Sequence, residues 1–282
     1  HTLFETESTD TIPYRIPAMA VMSDGSLLAL ADYRHCKGDI GFGRVDIHGR
    51  ISKDNDASWG EEFVLIEGTG VPATVDCGFG DAAMVAERES GEVLVMMVCG
   101  HTVYWHQTTN RQNPNRVSVI RSSDNGATWG PWEEVTESVY SLFDESVHGC
   151  VESCFVGSGK ICQSRTVKVG SHYRLYAALC ARPNGNRVIY SDDFGRTWKS
   201  ASGEVLKPPL DRRDNPAIAV KYEEKSRNVY IKGVKYDSKG NPIILYIVSK
   251  GFQAGPANGP REGQIVKWTG GEWRECDTGI RS

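Results

Sequence analysis

Ser122-Ser-Asp124-Asn-Gly126-Ala-Thr128-Trp129 and Ser191-Asp-Asp193-Phe-Gly195-Arg-Thr197-Trp198 share the pattern S-x-D-x-G-x-T-W, and this repeat decides the reading of the fold. A weaker copy, Ser52-Lys-Asp54-Asn-Asp56-Ala-Ser58-Trp59, has Asp in place of Gly and Ser in place of Thr. The chemistry is that of a tight turn. The Asp accepts hydrogen bonds from its own turn, Gly supplies a positive φ, and the Trp buries itself as the next strand begins. An apolar strand precedes each full copy, at Val117 to Arg121 and at Arg187 to Tyr190. Two full copies and a degenerate one in a single chain are the signature of Asp-box hairpins. They are scaffold chemistry, and their carboxylates are not counted as catalytic. The tryptophans stand about 70 residues apart, wider than one propeller repeat, so loops or a further blade lie between them.

The rest of the chain reads the same way. Strand-like runs bounded by turn residues occur at Ile16 to Met22, Ser26 to Asp32, Ala82 to Ala86, Val93 to Val98, Tyr173 to Leu179, Val229 to Tyr236 and Ile243 to Ser249. Hairpin turns fall at Ser23-Asp-Gly25, Glu89-Ser-Gly91 and Asp237-Ser-Lys-Gly240-Asn241. No segment longer than about two turns carries a helical stripe. These elements predict an all-β chain: a single β-propeller domain over 1–282, built of four-stranded antiparallel blades that bury their faces radially. Five or six blades fit the 282 residues, and six is the expectation.

Composition narrows the partners. The formal charge is −4, with no run of Lys and Arg to follow a phosphate backbone, which argues against nucleic acid. The longest apolar run, Val93 to Cys99, is far short of a membrane span, and no leader-like segment precedes His1. The eight cysteines form no C-x-x-C pair, and Cys99, Cys162 and Cys180 sit in strand-like stretches as small buried hydrophobes. His148, Cys150 and Cys154 do not match a zinc spacing, so neither metal nor cofactor is expected.

The candidate chemistry starts at Tyr14-Arg15-Ile16-Pro17. Leu28-Ala-Leu-Ala-Asp32-Tyr33-Arg34 follows, then Lys37-Gly-Asp39 and the first turn repeat. Phe79-Gly80-Asp81 with Arg88-Glu89-Ser90-Gly91, and Gly157-Ser-Gly159-Lys160-Ile161 with Gln163-Ser164, complete the series. In this order, over residues 1–200, the motifs resemble bacterial exo-sialidases of glycoside hydrolase family 33, nearest to those of gut Bacteroides type.

The resemblance implies removal of terminal sialic acid from sialylated glycans by a monomer working in a secreted or periplasmic setting. Sialic acid carries a carboxylate on its anomeric carbon, which a planar guanidinium grips bidentately. Arg15 matches the first member of the family's three-arginine clamp and Asp39 its acid/base. Arg34 looks like a second basic contact, and Asp81 resembles the acidic residue near the sugar ring. Trp105 is placed to stack on the glycan, and Gln163 to contact it. The family's nucleophile is a tyrosine activated by a glutamate, which avoids setting a carboxylate against the substrate's own.

That activating glutamate, two clamp arginines and the tyrosine are not recognisable after residue 200. Glu223, Glu224, Arg227 and Arg261 lack the family's context, and Tyr222, Tyr230, Tyr236 and Tyr246 read as strand tyrosines. Residues 214–276 are instead similar to BNR-4 type propeller repeats, as in a chimera or a divergent family. Two other functions therefore stand beside the sialidase: a non-catalytic propeller scaffold that binds glycans or nothing, and a lyase-like activity of the C-terminal third.

Overall fold

The computed structural model describes residues 2–6, 12–106, 108–145, 150–182 and 187–200, together with the backbone of four strands between residues 230 and 276. The chain divides into two compact units, residues 1–139 with 152–160, and residues 140–151 with 161–282.

The first unit opens with an antiparallel meander of β1 (Tyr14–Val21), β2 (Leu27–Tyr33), β3 (Asp46–Ser52) and β4 (Phe63–Ile66), paired in chain order. A second meander follows, of β5 (Phe79–Ala86), β6 (Val93–Cys99), β7 (Arg116–Ser122) and the short β8 (Glu133–Glu134). A five-residue helix, α1 (Thr136–Tyr140), and β9 (Ser153–Val156) come next. The two-residue β10 (Gly159–Lys160) then lies parallel on the outer side of β5. The β6 sequence Val-Leu-Val-Met-Met-Val-Cys is buried at every position, the mark of a strand covered on both faces. Leu28, Leu30 and Ile47 of the first sheet share one core with Phe79, Met84, Val95 and Met97 of the second.

In the second unit, β11 (Cys162–Val169), β12 (His172–Arg182), β13 (Arg187–Ser191) and β14 (Lys199–Ser200) form a third antiparallel meander. A fourth joins β15 (Tyr230–Tyr236), β16 (Pro242–Val248), β17 (Gly263–Trp268) and β18 (Trp273–Cys276). The described chain is thus all-β, as expected, and every sheet repeats one meander. No helix among the described residues is long and apolar enough to cross a membrane.

The three octapeptides all form turns between a third and a fourth strand. Ser122 Oγ accepts from Gly126 N–H at 2.9 Å, while Asp124 accepts from Thr128 N–H at 2.8 Å and from Thr128 Oγ1 at 2.6 Å. The set recurs around Ser191, Asp193, Gly195 and Thr197. In the degenerate copy Asp56 occupies the glycine's left-handed conformation, with φ 72° against 78° for Gly126 and 76° for Gly195. Its carboxylate there accepts from Trp59 Nε1 at 2.6 Å. Burial of the three tryptophans is graded: Trp198 is buried, whereas Trp59 and Trp129 remain half-exposed.

Two of the register shifts between strands lie beside candidate residues of the first unit and carry a positive φ. The pairing of β1 with β2 shifts between Arg15 and Ala18, where Ile16 has φ 52°. That of β5 with β6 shifts between Gly80 and Ala83, where Asp81 has φ 53°. Positive φ is uncommon outside glycine, and rare for a β-branched side chain. Such bulges re-aim side chains next to functional sites. The second one also explains why β5 starts at Phe79 and not at Ala82, since the bulge breaks the alternation by which strands are read.

Candidate active site

Five of the six expected site residues belong to the strands and loops of the first unit's two sheets, and three of these, Arg34, Asp39 and Asp81, share one cluster. Its hub is Arg34, just beyond β2 and 2% exposed. Its Nε and Nη2 donate to Asp32 Oδ2 at 3.1 and 2.8 Å. Nη1 donates to Asp39 Oδ1 at 2.9 Å and to the Gly38 carbonyl at 3.2 Å. Nη2 also reaches Asp81 Oδ1 at 3.2 Å. These five bonds match the five N–H groups of a guanidinium. Arg34 therefore orients three carboxylates.

Asp32 is the residue the sequence reading passed over. Its side chain is fully buried; one oxygen serves Arg34, and the other accepts the Asp81 N–H at 3.0 Å. It thereby ties the end of β2 to the bulge of β5. A carboxylate closing an otherwise apolar Leu-Leu-Ala-Leu-Ala run was the available signal. Burial raises the affinity of Asp32 and Asp81 for protons above the ordinary carboxylate range; repulsion by Asp81 adds to it at Asp32, repulsion by Asp39 adds to it at Asp81, and Arg34 opposes both. Gly80 is fitted to this contact, because a Cβ there would lie 2.4 Å from Ile40 Cδ1 and 2.8 Å from Asp32 Oδ2.

Asp39 differs from its two partners in exposure, with 46% of its side chain open. Its Oδ1 takes Arg34 Nη1 and the Ile40 N–H, the latter at 3.0 Å. Those two donors leave Oδ2 as the oxygen that can carry or accept a proton. Arg15, opposite Asp32 in the β1–β2 register, is exposed. Its charge acts on Asp81 and opposes the rise caused by burial. An exposed cation, an exposed carboxyl and a part-buried carboxylate thus accompany the Arg34 hub.

Trp105 lies on the loop between β6 and β7 and is 44% exposed; its ring centroid is 6.4 Å from that of Phe42, on the Asp39 loop. Gln163 belongs to the second unit, half-buried on β11 opposite Leu175. Among the described residues no group of three or more His, Cys, Asp and Glu is arranged to hold a metal ion. His148 lies outside the described residues, as do Glu223, Glu224, Arg227, Arg261 and the side chains of Tyr222, Tyr230, Tyr236 and Tyr246.

One tyrosine–glutamate pair is present in the first unit: Tyr14 Oη donates to Glu62 Oε1 at 2.6 Å. Tyr14 neighbours Arg15 along β1, so the two side chains leave the strand on opposite faces. Burial, then the Glu62 carboxylate, raises the phenol's pKa further. This pair belongs to a separate polar cluster with His48, Tyr33, Asp46 and Arg50.

No family model matches the chain. Sialidase-3 of Rattus norvegicus is 27% identical over 219 residues, covering 74% of this chain and 50% of that protein. A sialidase of Micromonospora viridifaciens is 31% identical over 206 residues, 70% of this chain and 30% of that protein. The chain therefore spans half or less of the length of these curated relatives. Among solved structures, the Hadza microbial sialidase Hz136 superposes with a TM-score of 0.63 at 19% identity, over 93% of this chain and 46% of that one. Trypanosoma rangeli sialidase in complex with the inhibitor DANA gives 0.61 at 17% identity, over 94% and 38%. These likenesses show a propeller-type fold.

Proposed function

We propose that this chain, a relative of the sialidases along about 70% of its length, carries the acid/base side of a sialidase-type active site and acts in removing terminal sialic acid from glycans. The observation that carries the reading is Asp39: an exposed carboxyl with Oδ1 fixed by Arg34 and a backbone N–H, and Oδ2 turned over to proton transfer.

The chemistry follows from the positions. Arg15 offers the free guanidinium of the set and takes the substrate carboxylate. Asp39 Oδ2–H protonates the glycosidic oxygen as the bond to the anomeric carbon breaks, so that the sugar leaves as an alcohol. The Asp39 anion then takes a proton from the water that completes hydrolysis. Asp81, pinned at a backbone bulge, faces the bound ring. Arg34, the second basic contact of the set, and Asp32 hold Asp39 and Asp81 in place. The nucleophilic tyrosine and its glutamate are not the Tyr14–Glu62 pair, which serves the other face of β1. The reading assigns them, with the remaining clamp arginines, to sequence outside the described residues. It also places Gln163 as a ring contact, and Trp105 beside the leaving group. The whole protein would be a closed propeller of six blades, monomeric, and secreted or periplasmic.

Release of 4-methylumbelliferone from its α-sialoside tests the assignment. Arg15→Ala and Asp39→Ala should each lower turnover by about two orders of magnitude or more, with the fold retained. A well-folded parent that neither turns over the sialoside nor binds free sialic acid would overturn the reading.

A further inference from the structure

Phe42 is 57% exposed, three residues beyond Asp39, and its presentation is built into the backbone. It stands between Gly41 (φ 103°) and Gly43 (φ 150°), both in conformations that L side chains rarely adopt. A Cβ on Gly41 would meet the Thr102 carbonyl carbon at 2.6 Å and the Val103 nitrogen at 2.7 Å, so the Asp39 loop docks backbone to backbone on the loop that carries Trp105. A Cβ on Gly38 would touch the Phe42 ring at 3.2 Å; the ring therefore lies over the residue immediately before Asp39. The Phe42 N–H closes the turn onto the Asp39 carbonyl at 3.2 Å.

The Trp105 loop is anchored as firmly. Thr102 Oγ1 donates to the Pro114 carbonyl and Thr109 Oγ1 to the Val103 carbonyl, both at 2.6 Å. Two large aromatic rings are thus held in the open by rigid loops, beside the acid. Simple core packing would have buried them, because an exposed phenylalanine forgoes burial worth about 2 kcal/mol.

We infer that Phe42, with Trp105, is the platform for the neutral pyranose on the leaving-group side of the scissile bond, and that it selects sialosides by the sugar they release. The inference rests on the sialidase reading. Asp39 protonates the leaving oxygen, so a surface continuous with Asp39 meets the departing sugar. A flat aromatic ring matches the C–H face of a pyranose and has no charge with which to hold sialic acid itself.

Calorimetry and saturation-transfer NMR on the full chain test it, with 3′-sialyllactose, free sialic acid and lactose as probes. Phe42→Ala and Phe42→Leu should weaken sialyllactose about three- to tenfold and leave free sialic acid within twofold, while Phe42→Tyr retains binding. Equal losses for both ligands, or no loss in either, would overturn the platform. If the parent neither turns over the sialoside nor binds free sialic acid, the sialidase reading fails by itself. Lactose then decides: saturation transfer to its ring protons that Phe42→Ala abolishes supports the platform, and absence of transfer overturns it.

Discussion

Single side chains set the site's charge balance. Arg34 is a buried cation facing Asp32, Asp39 and Asp81, and its removal would strand the Asp32 carboxylate, which water cannot reach. Losing one partner of a buried ion pair costs about 3–5 kcal/mol. Arg34→Met should lower unfolding stability by about that amount in urea denaturation. Arg34→Lys should recover little of it, because an ammonium has three donors and cannot reproduce the planar fork. The turn residues allow a milder test. Gly126 has φ 78°, and a Cβ there would make only ordinary contacts, the nearest being Trp129 at 3.5 Å. Gly126→Ala should therefore cost only the backbone term, about 1 kcal/mol, read as a lower denaturation midpoint with an unchanged slope. Arg15, Asp39 and Asp81 were legible as candidates because they stand in linear motifs. Asp32 was quoted within such a motif, but its role was hidden, since its partners are 2 and 49 residues away.

At the scale of elements, what matters is how loops meet. The Asp39 loop touches the Trp105 loop through Gly41, where no side chain fits. Gly41→Ala should push the loops apart. We expect a loss of about 1–3 kcal/mol in stability, faster amide exchange over residues 38–43, and a fall in sialoside turnover close to that of Asp39→Ala. Strand boundaries were legible where an apolar run ends at turn residues, as in β2, β6 and β16. They were not legible at the bulges of β1 and β5, because one extra residue inverts the alternation, and both bulges fall next to Arg15 and Asp81. The loop contact itself leaves no trace in linear order: Gly41 and Thr102 lie far apart in sequence, and glycine is common in any turn-rich chain.

At the scale of the molecule, the polar cluster on the other face of the first sheet couples stability to pH. Burial lowers the proton affinity of His48, but the Asp46 and Glu62 carboxylates outweigh it and leave its pKa above the ordinary 6.5. A raised folded-state value means that protonated His48 contributes fully below about 6.5, and that the contribution is lost as pH rises through the folded value. Burial would raise Asp46 and Glu62, yet their hydrogen-bond donors hold both below the ordinary carboxylate range; their contribution is present above that range and lost as pH falls through the lowered values. The thermal midpoint should therefore fall as pH rises above about 6.5, and His48→Gln should flatten that limb while leaving the acid limb in place. By itself the sequence determined the all-β class, the repeated meander, the turn chemistry and the sialidase likeness, because each is written in local periodicity or contiguous motifs. Tertiary structure alone decided that Arg34 serves three carboxylates, that Asp32 joins two sheets, and that Phe42 stands exposed beside Asp39. Those outcomes depend on which groups meet across folded loops, where burial and hydrogen-bond geometry, and not residue type, assign the role.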